Sequence, residues 1–225
     1  MINFTAKQKI MGTYRISKTF PHRHTISARA ADVCRMFGIS AERLKEGDVT
    51  HRCRLDINAG DIVYITGPSG AGKTVLLKEL EKSTPVLEKV NINEIELPAD
   101  KAVIDCLPSD LLQGLRLLST AGLNDVFCVL NTPANLSDGQ KYRFRLAMTI
   151  AAGKKFVFAD EFCSTLDRVT AAVISYHLHK FAKRNKMTFI LASSHEDILT
   201  DLSPDVLVVK ELSGGTEVIY KKSKR

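Results

Sequence analysis

The octet Gly67-Pro68-Ser69-Gly70-Ala71-Gly72-Lys73-Thr74 restricts this chain more than any other stretch, because it fits G-x-x-x-x-G-K-[ST]. That pattern is a phosphate-binding loop where a strand leads in and a helix leads out. Asp61-Ile62-Val63-Tyr64-Ile65-Thr66 reads as the strand, and Thr74-Val75-Leu76-Leu77-Lys78-Glu79-Leu80 reads as the helix. The chemistry explains the residue types. Gly67, Gly70 and Gly72 let the backbone curl until its N–H groups converge on one anion. The helix N-terminus behind them adds partial positive charge. Lys73 is placed to reach β- and γ-phosphates, and the Thr74 hydroxyl to ligate Mg²⁺.

With 225 residues the chain suits one large domain or one domain with an insertion. Hydrophobic residues make up 44% and charged residues 25%, the balance of a soluble globular protein. No apolar run approaches the ~18 residues that span a bilayer. The first ten residues hold no apolar core of the kind a secretion signal needs, so the expected location is the cytoplasm. Five widely spaced cysteines without a C-x-x-C pair read as reduced thiols. The net charge of +7 permits an acidic partner such as nucleic acid, although a nucleotide site needs positive charge in any case. Part of the excess lies in Lys221-Lys222-Ser223-Lys224-Arg225.

Residues 1–30 mix basic and polar types without a clear period and read as an N-terminal arm or irregular strands; residues 31–225 form the main domain. Ala28–Phe37 reads as a short helix ended by Gly38. Residues 87–97 read as one or two strands. Ser109–Ala121 reads as a helix with Leu111, Leu112, Leu115 and Leu118 on one face. Helices are also expected over 137–152 and 168–184. Strands are expected over 156–159, 188–192 and 206–209. This alternation implies a mainly parallel α/β sheet, with a helical subdomain over about 98–152.

Two further segments carry chemistry. Phe156-Val157-Phe158-Ala159 is an apolar strand ending in Asp160-Glu161. Beside a phosphate-binding loop, Asp160 suits Mg²⁺ and Glu161 suits polarising an attacking water. Leu136-Ser137-Asp138-Gly139-Gln140 opens a helix, with Ser137 as its N-cap and Gly139 permitting close approach.

The second segment resembles the L-S-G-G-Q signature of ABC-type ATPases. The order of motifs over roughly residues 33–212 resembles that family's nucleotide-binding domain. Ser164-Thr165-Leu166-Asp167 is similar to its D-loop, and Ser193-Ser194-His195-Glu196-Asp197 to its switch-histidine loop. The resemblance implies a P-loop NTPase fold, with an ABC-type core sheet and a short helical subdomain. It implies ATP and Mg²⁺ as ligands and a head-to-tail, ATP-dependent homodimer. Gly67 to Thr74 of one chain would face Ser137, Gly139, Gln140 and Asp167 of the other. Lys73, Glu161 and His195 would be catalytic, with Thr74 and Asp160 on the metal. Phe37 stands roughly where the family places an adenine-stacking aromatic; a core phenylalanine is the other reading.

Three departures stand out. Asp138 replaces the second glycine of the signature. No glutamine clearly fills the family's Q-loop place on Mg²⁺; Asp105, read as the end of a strand Ala102-Val103-Ile104, and Gln113 are the candidates. The stretch from Thr74 to Leu136 is short for a transporter subunit. That points to a soluble ATPase similar to stand-alone or acetyltransferase-fused members. An ATP-gated DNA or RNA clamp and a transporter subunit are the alternatives. His22-x-His24 reads as part of a surface arm rather than a metal site.

Overall fold

Three strands buried on both faces organise the molecule: β3 (Ile62–Thr66), β5 (Phe156–Ala159) and β6 (Thr188–Ala192). The computed structural model describes residues 10–20, 27–40, 49–107, 110–212 and 214–221. With β4 (Lys89–Asn91), β7 (Val206–Lys210) and β8 (Thr216–Tyr220) these strands form a six-stranded sheet in the order β4-β5-β6-β3-β7-β8. Every pairing is parallel except the antiparallel β7–β8 edge. Parallel strands need crossovers on their faces, so their sequences read as continuous apolar runs.

Alternation along the strands divides the core into two layers. Ile62, Tyr64, Val157, Ala159, Phe189 and Leu191 join one buried cluster. Val63, Ile65, Phe156, Phe158, Ile190 and Ala192 join the other. The first layer is covered by α3 (Leu111–Thr120), α5 (Asp138–Ala151) and α6 (Arg168–Asn185), through residues such as Leu118, Phe144 and Ile174. The second is covered by α2 (Lys73–Lys82), which buries Leu76, Leu77 and Leu80.

The remaining cover comes in part from the N-terminal residues, read above as an arm or irregular strands. β1 (Ile10–Phe20) pairs antiparallel with β2 (Val49–Asn58) along nearly its whole length. Ile16, Leu55 and Ile57 of this hairpin are buried in the second layer. A boundary at residue 30 therefore cuts a continuous ladder. The alternation of Tyr14 and Ile16 with Thr13, Arg15 and Ser17 is a half-buried strand pattern whose partner lies across a long connection. In that connection, α1 (Ala28–Met36) buries none of its residues. His22 and His24 lie outside the described residues.

Residues 87–97 supply only the three-residue β4, flanked by single 3₁₀ turns at Val86–Glu88 and Ile92–Glu94. No strand occurs among the described residues of 98–135; α3 is followed by the short α4 (Val126–Leu130). The start of α3 expected at Ser109 lies outside the described residues, and Asp110 is its N-cap. α5 shares the buried cluster of the sheet, so the core is continuous into the helical segment. The leucine face of α3 is only partly inward. Leu118 is fully buried, but Leu111 and Leu112 are each 65% exposed and Leu115 40%. With Val126, Val129 and Leu130 of α4, Leu111 and Leu115 line an apolar groove of about 400 Å³.

Candidate functional site

The parallel strands bring three expected segments to one edge of the sheet. Ile65 is level with Ala192, and Ala159 with Leu191. The loop after β3, Asp160-Glu161 after β5 and Ser193–His195 after β6 thus leave from the same carboxyl edge, with β6 in the middle. In open α/β sheets that edge is where ligands bind.

The loop after β3 has the backbone its glycines permit. Gly67, Gly70 and Gly72 all have positive φ, at 137°, 83° and 86°. Gly67 is the most constrained. A Cβ there would stand 2.2 Å from the carbonyl oxygen of Lys210. Gly72 is the N-cap of α2 and offers no side-chain cap, which leaves the first N–H groups of that helix open to an anion. Within the turn, the Ala71 N–H donates to the Pro68 carbonyl. Lys73 is 8% exposed, and its ammonium donates to the carbonyls of Gly67 and Pro68 at 2.8 and 3.0 Å. Among the described residues the Thr74 hydroxyl has no hydrogen-bond partner, which leaves it available to a metal. A fixed cation, converging N–H groups and a free hydroxyl suit a nucleotide triphosphate with Mg²⁺.

Asp160 and Glu161 sit at the tip of β5. The Asp160 peptide is held from both sides by Asn93. Its N–H donates to Asn93 Oδ1 at 2.8 Å, and its carbonyl accepts from Asn93 Nδ2 at 3.2 Å. Glu161 is exposed and has φ 52°, an unusual backbone for a residue with a side chain. Cys163, two residues on, also has positive φ at 59°. Such conformations each cost about 1–3 kcal/mol and persist only where surroundings impose them. Two groups impose this one. The Phe162 N–H donates to the Ala192 carbonyl at 2.9 Å, and the Cys163 N–H donates to the Tyr142 hydroxyl at 3.0 Å. Burial pushes the Cys163 thiol up to about 12, so it is a neutral packing group.

His195 is exposed at the end of the β6 loop. Its carbonyl accepts from the Tyr64 hydroxyl at 2.5 Å, and its N–H donates to Ser193 Oγ at 3.3 Å. Burial raises the Tyr64 phenol well above its ordinary range, so Tyr64 remains a neutral donor. His195 also lines a small cavity of about 90 Å³ with Cys163, Leu166 and Asp197, next to the loop that follows β5. Asp197 pairs with Arg168 at 3.2 Å. Asp167 caps α6, accepting from the Thr170 N–H at 2.9 Å, and these hydrogen bonds hold its carboxyl below the usual range.

Ser137 to Gln140 form a reciprocal capping box. The Gln140 N–H donates to Ser137 Oγ, and the Ser137 N–H donates to Gln140 Oε1. Among the described residues the Ser137 hydroxyl hydrogen has no acceptor. Asp138 is exposed in the first turn of α5, where it favours the helix and opposes a bound anion. A Cβ on Gly139 would lie 3.3 Å from Leu166 Cδ2 and 3.6 Å from the Thr165 carbonyl oxygen. Gly139 therefore lets the segment after β5 pack against α5 within the same chain.

One expected site residue is placed differently, and for another, one of two readings falls away. Asp105 lies in a 3₁₀ turn, Val103–Cys106, and not at a strand end. The apolar run before it is spent on Val103, which is fully buried and whose N–H donates to the Asn131 carbonyl. On the side of β5 away from β6 the parallel neighbour is β4, and the residue that bonds the Asp160 peptide from that side is Asn93. The alternative, Gln113, is inside α3. Phe37 is the C-cap of α1 with 75% exposure, which removes the core reading. Asn93, Tyr142 and Tyr64 were missed in the sequence. Only Asn93, following β-branched Val90 and Ile92, carried a positional signal.

Fold and edge together define a P-loop nucleotide-binding cassette. A family model described as ABC transporter matches residues 50–164, just over half of the chain, and the chain belongs to that family as an ABC-type ATPase cassette. It is 27% identical over 214 residues to the methionine import ATP-binding protein MetN of Mannheimia succiniciproducens, covering 79% of this chain and 61% of that protein. It is 29% identical over 180 residues to the aliphatic sulfonates import ATP-binding protein SsuB 1 of Paracoccus denitrificans, covering 72% and 74%. The chain thus spans about three fifths of the length of the methionine import proteins it matches. Among solved structures, it is similar in fold to a dimeric bacterial ABC transporter cassette, with a TM-score of 0.62 at 17% identity, covering 80% of this chain and 95% of that one. An ATP-binding cassette solved as a dimer with ADP and Pi gives a TM-score of 0.61 at 18% identity, with the same coverage. No described helix is long and apolar enough to cross a membrane.

Proposed function

We propose that this chain binds ATP with Mg²⁺ and hydrolyses it between two copies arranged head to tail. The observation that supports this reading most is the shared carboxyl edge, where Lys73 and Thr74, Asp160 and Glu161, and His195 leave from three adjacent strands. In this reading Lys73 turns from the Gly67 and Pro68 carbonyls to the phosphates. Thr74 and Asp160 hold Mg²⁺, which neutralises charge on the phosphates when bound. Glu161 accepts a proton from the attacking water, and His195 steadies the γ-phosphate. Asn93 positions Asp160 through its peptide. The second copy presents Ser137, whose hydroxyl hydrogen has no acceptor among the described residues, and the backbone at Gly139. Asp167 caps α6 beside that junction, and Phe37 is an exposed aromatic available to adenine. The test is light scattering on Glu161→Gln in Mg-ATP. A dimer that forms with ATP and disperses without it supports the reading, and a chain that stays monomeric in saturating ATP refutes it.

A second reading concerns the work the cycle drives. The relatives are named import ATP-binding proteins, and the groove of α3 and α4 exposes Leu111, Val126 and Leu130. Both favour a membrane partner seated on that groove over a stand-alone role. Co-purification with a membrane protein that is lost on Leu111→Glu would support it. Partner-free hydrolysis unaffected by Leu111→Glu, with no membrane protein captured, would refute it.

A further inference from the structure

The β1–β2 hairpin carries a concentration of positive charge that the nucleotide site does not use. Its register sets Arg15 directly opposite Arg54, and Ser17 opposite Arg52. All three arginines are exposed, and among the described residues none is paired with a carboxylate. Like charges facing each other across an antiparallel pair destabilise it. Arg52 and Arg54 are two residues apart on one face, about 6.8 Å along the strand. Together with Ile16, Ser17, Cys53, Thr216 and Val218 these residues line a trough of about 520 Å³ between the hairpin and β8.

The β8 side of that trough adds an oriented donor. Lys210 is 1% exposed, and its ammonium donates to the carbonyls of Gly214 and Gly215 and, at 2.6 Å, to Thr216 Oγ1. Those three bonds use all three ammonium hydrogens. The Thr216 oxygen accepts from a buried cation, so its own hydrogen is left to donate elsewhere, with its acidity enhanced. Three unpaired guanidinium groups and a polarised hydroxyl suit phosphate oxygens.

We propose that this trough binds the phosphodiester backbone of nucleic acid, without reading its sequence. The outward residues favour that ligand over a lipid surface. Thr13, Arg15, Ser17, Arg52, Arg54 and Asp56 include no aliphatic or aromatic side chain to enter a bilayer, and with Asp56 bonded to Thr13 the three arginines leave the face net positive. Hydroxyl and arginine groups on an extended polar face are the groups that contact phosphates.

The test uses the full chain and a labelled, mixed-sequence DNA duplex, with binding followed by fluorescence anisotropy between 50 and 200 mM salt. Each phosphate contact adds ~0.9 to the slope of log affinity against log salt. Arg15→Gln, Arg52→Gln and Arg54→Gln together should lower that slope by about 2.7. They should also reduce the salt-induced loss of affinity over this range by roughly 40-fold. A control removes three charges elsewhere, through Arg116→Gln, Lys180→Gln and Arg184→Gln; it should keep the wild-type slope. Circular dichroism and a melting curve confirm that both variants fold, and basal ATP hydrolysis should be unchanged in the trough variant. Equal loss in both variants would assign binding to net charge and overturn the proposal. So would loss in the control alone, or no duplex binding by wild type. Binding confined to phosphatidylserine-containing vesicles, or to inorganic phosphate with no affinity for the duplex, would also overturn it.

Discussion

Replacing Tyr142 by Phe isolates what holds the segment between the β5 carboxylates and α6. Tyr142 is 7% exposed on α5, and its hydroxyl accepts from the buried Cys163 N–H at 3.0 Å. Cys163 is 3% exposed and held at φ 59°. Phenylalanine keeps the ring and removes the hydroxyl, which accepts from that N–H and also bonds the Cys163 thiol. The N–H is then orphaned in a place water does not reach, which costs about 1–3 kcal/mol. For a chain of this size each kcal/mol lowers the melting temperature by about 2–4 °C. Tyr142→Phe should therefore melt roughly 2 to 12 °C below wild type in scanning calorimetry. Tyr176→Phe is the control, because Tyr176 is 46% exposed and such surface changes stay within about 0.5 kcal/mol. The same loss frees Glu161 from its imposed backbone, so hydrolysis should fall more than ATP binding. A Tyr142→Phe protein that melts with wild type, or no lower than the Tyr176 control, would refute this reasoning.

Other changes test separate links. Gly67→Ala places a Cβ 2.2 Å from the Lys210 carbonyl oxygen, so it should abolish nucleotide binding in a filter or calorimetric assay; unchanged affinity would show that the loop relaxes freely. Glu161→Gln should lower the hydrolysis rate by about 10²–10⁴-fold while retaining ATP affinity, as read by steady-state kinetics and nucleotide titration. Asp138→Gly removes a negative charge from the first turn of α5, and should tighten the ATP-dependent dimer by about two- to fivefold in analytical ultracentrifugation. Burial pushes Cys163 up to about 12, whereas a free thiol ionises near 8.5. Folding therefore favours its neutral form, so its alkylation by iodoacetamide should stay negligible from pH 7 to 9 in the native protein and appear only on unfolding. Mass spectrometry of the labelled cysteines measures this.

The parts legible in the sequence were those whose local physics is complete. β3, β5 and β6 are buried on both faces, so each is an unbroken apolar run. α5 and α6 begin at Ser137 and Asp167, which are good caps because their oxygens accept N–H bonds from the first turn. The phosphate loop announces itself by glycines that only a positive φ requires. What was hidden depends on partners distant in the chain. The β1–β2 ladder joins residues some forty positions apart, and among the described residues of β1 only Tyr14 and Ile16 bring apolar side chains to the core. β8, an exposed edge strand, had no signal beyond a short alternating run. β4 is three residues long, too short for a period to show, and its brevity moved the sheet-tip residue from Asp105 to Asn93. The leucine spacing of α3 gave a helix correctly but could not tell a core face from a groove left open.

Mixed-chain complementation tests the shared site most directly. Lys73→Ala disables the phosphate loop. Ser137→Asp keeps an oxygen to cap α5 but puts a negative charge where the γ-phosphate of the facing copy would dock. Each variant alone should be inactive. Equal mixing should form half mixed dimers, each with one intact site of two, so about a quarter of the wild-type hydrolysis rate should return. No recovery in a mixture that demonstrably forms mixed dimers, or full activity of either variant alone, would contradict a site built from two copies of this chain.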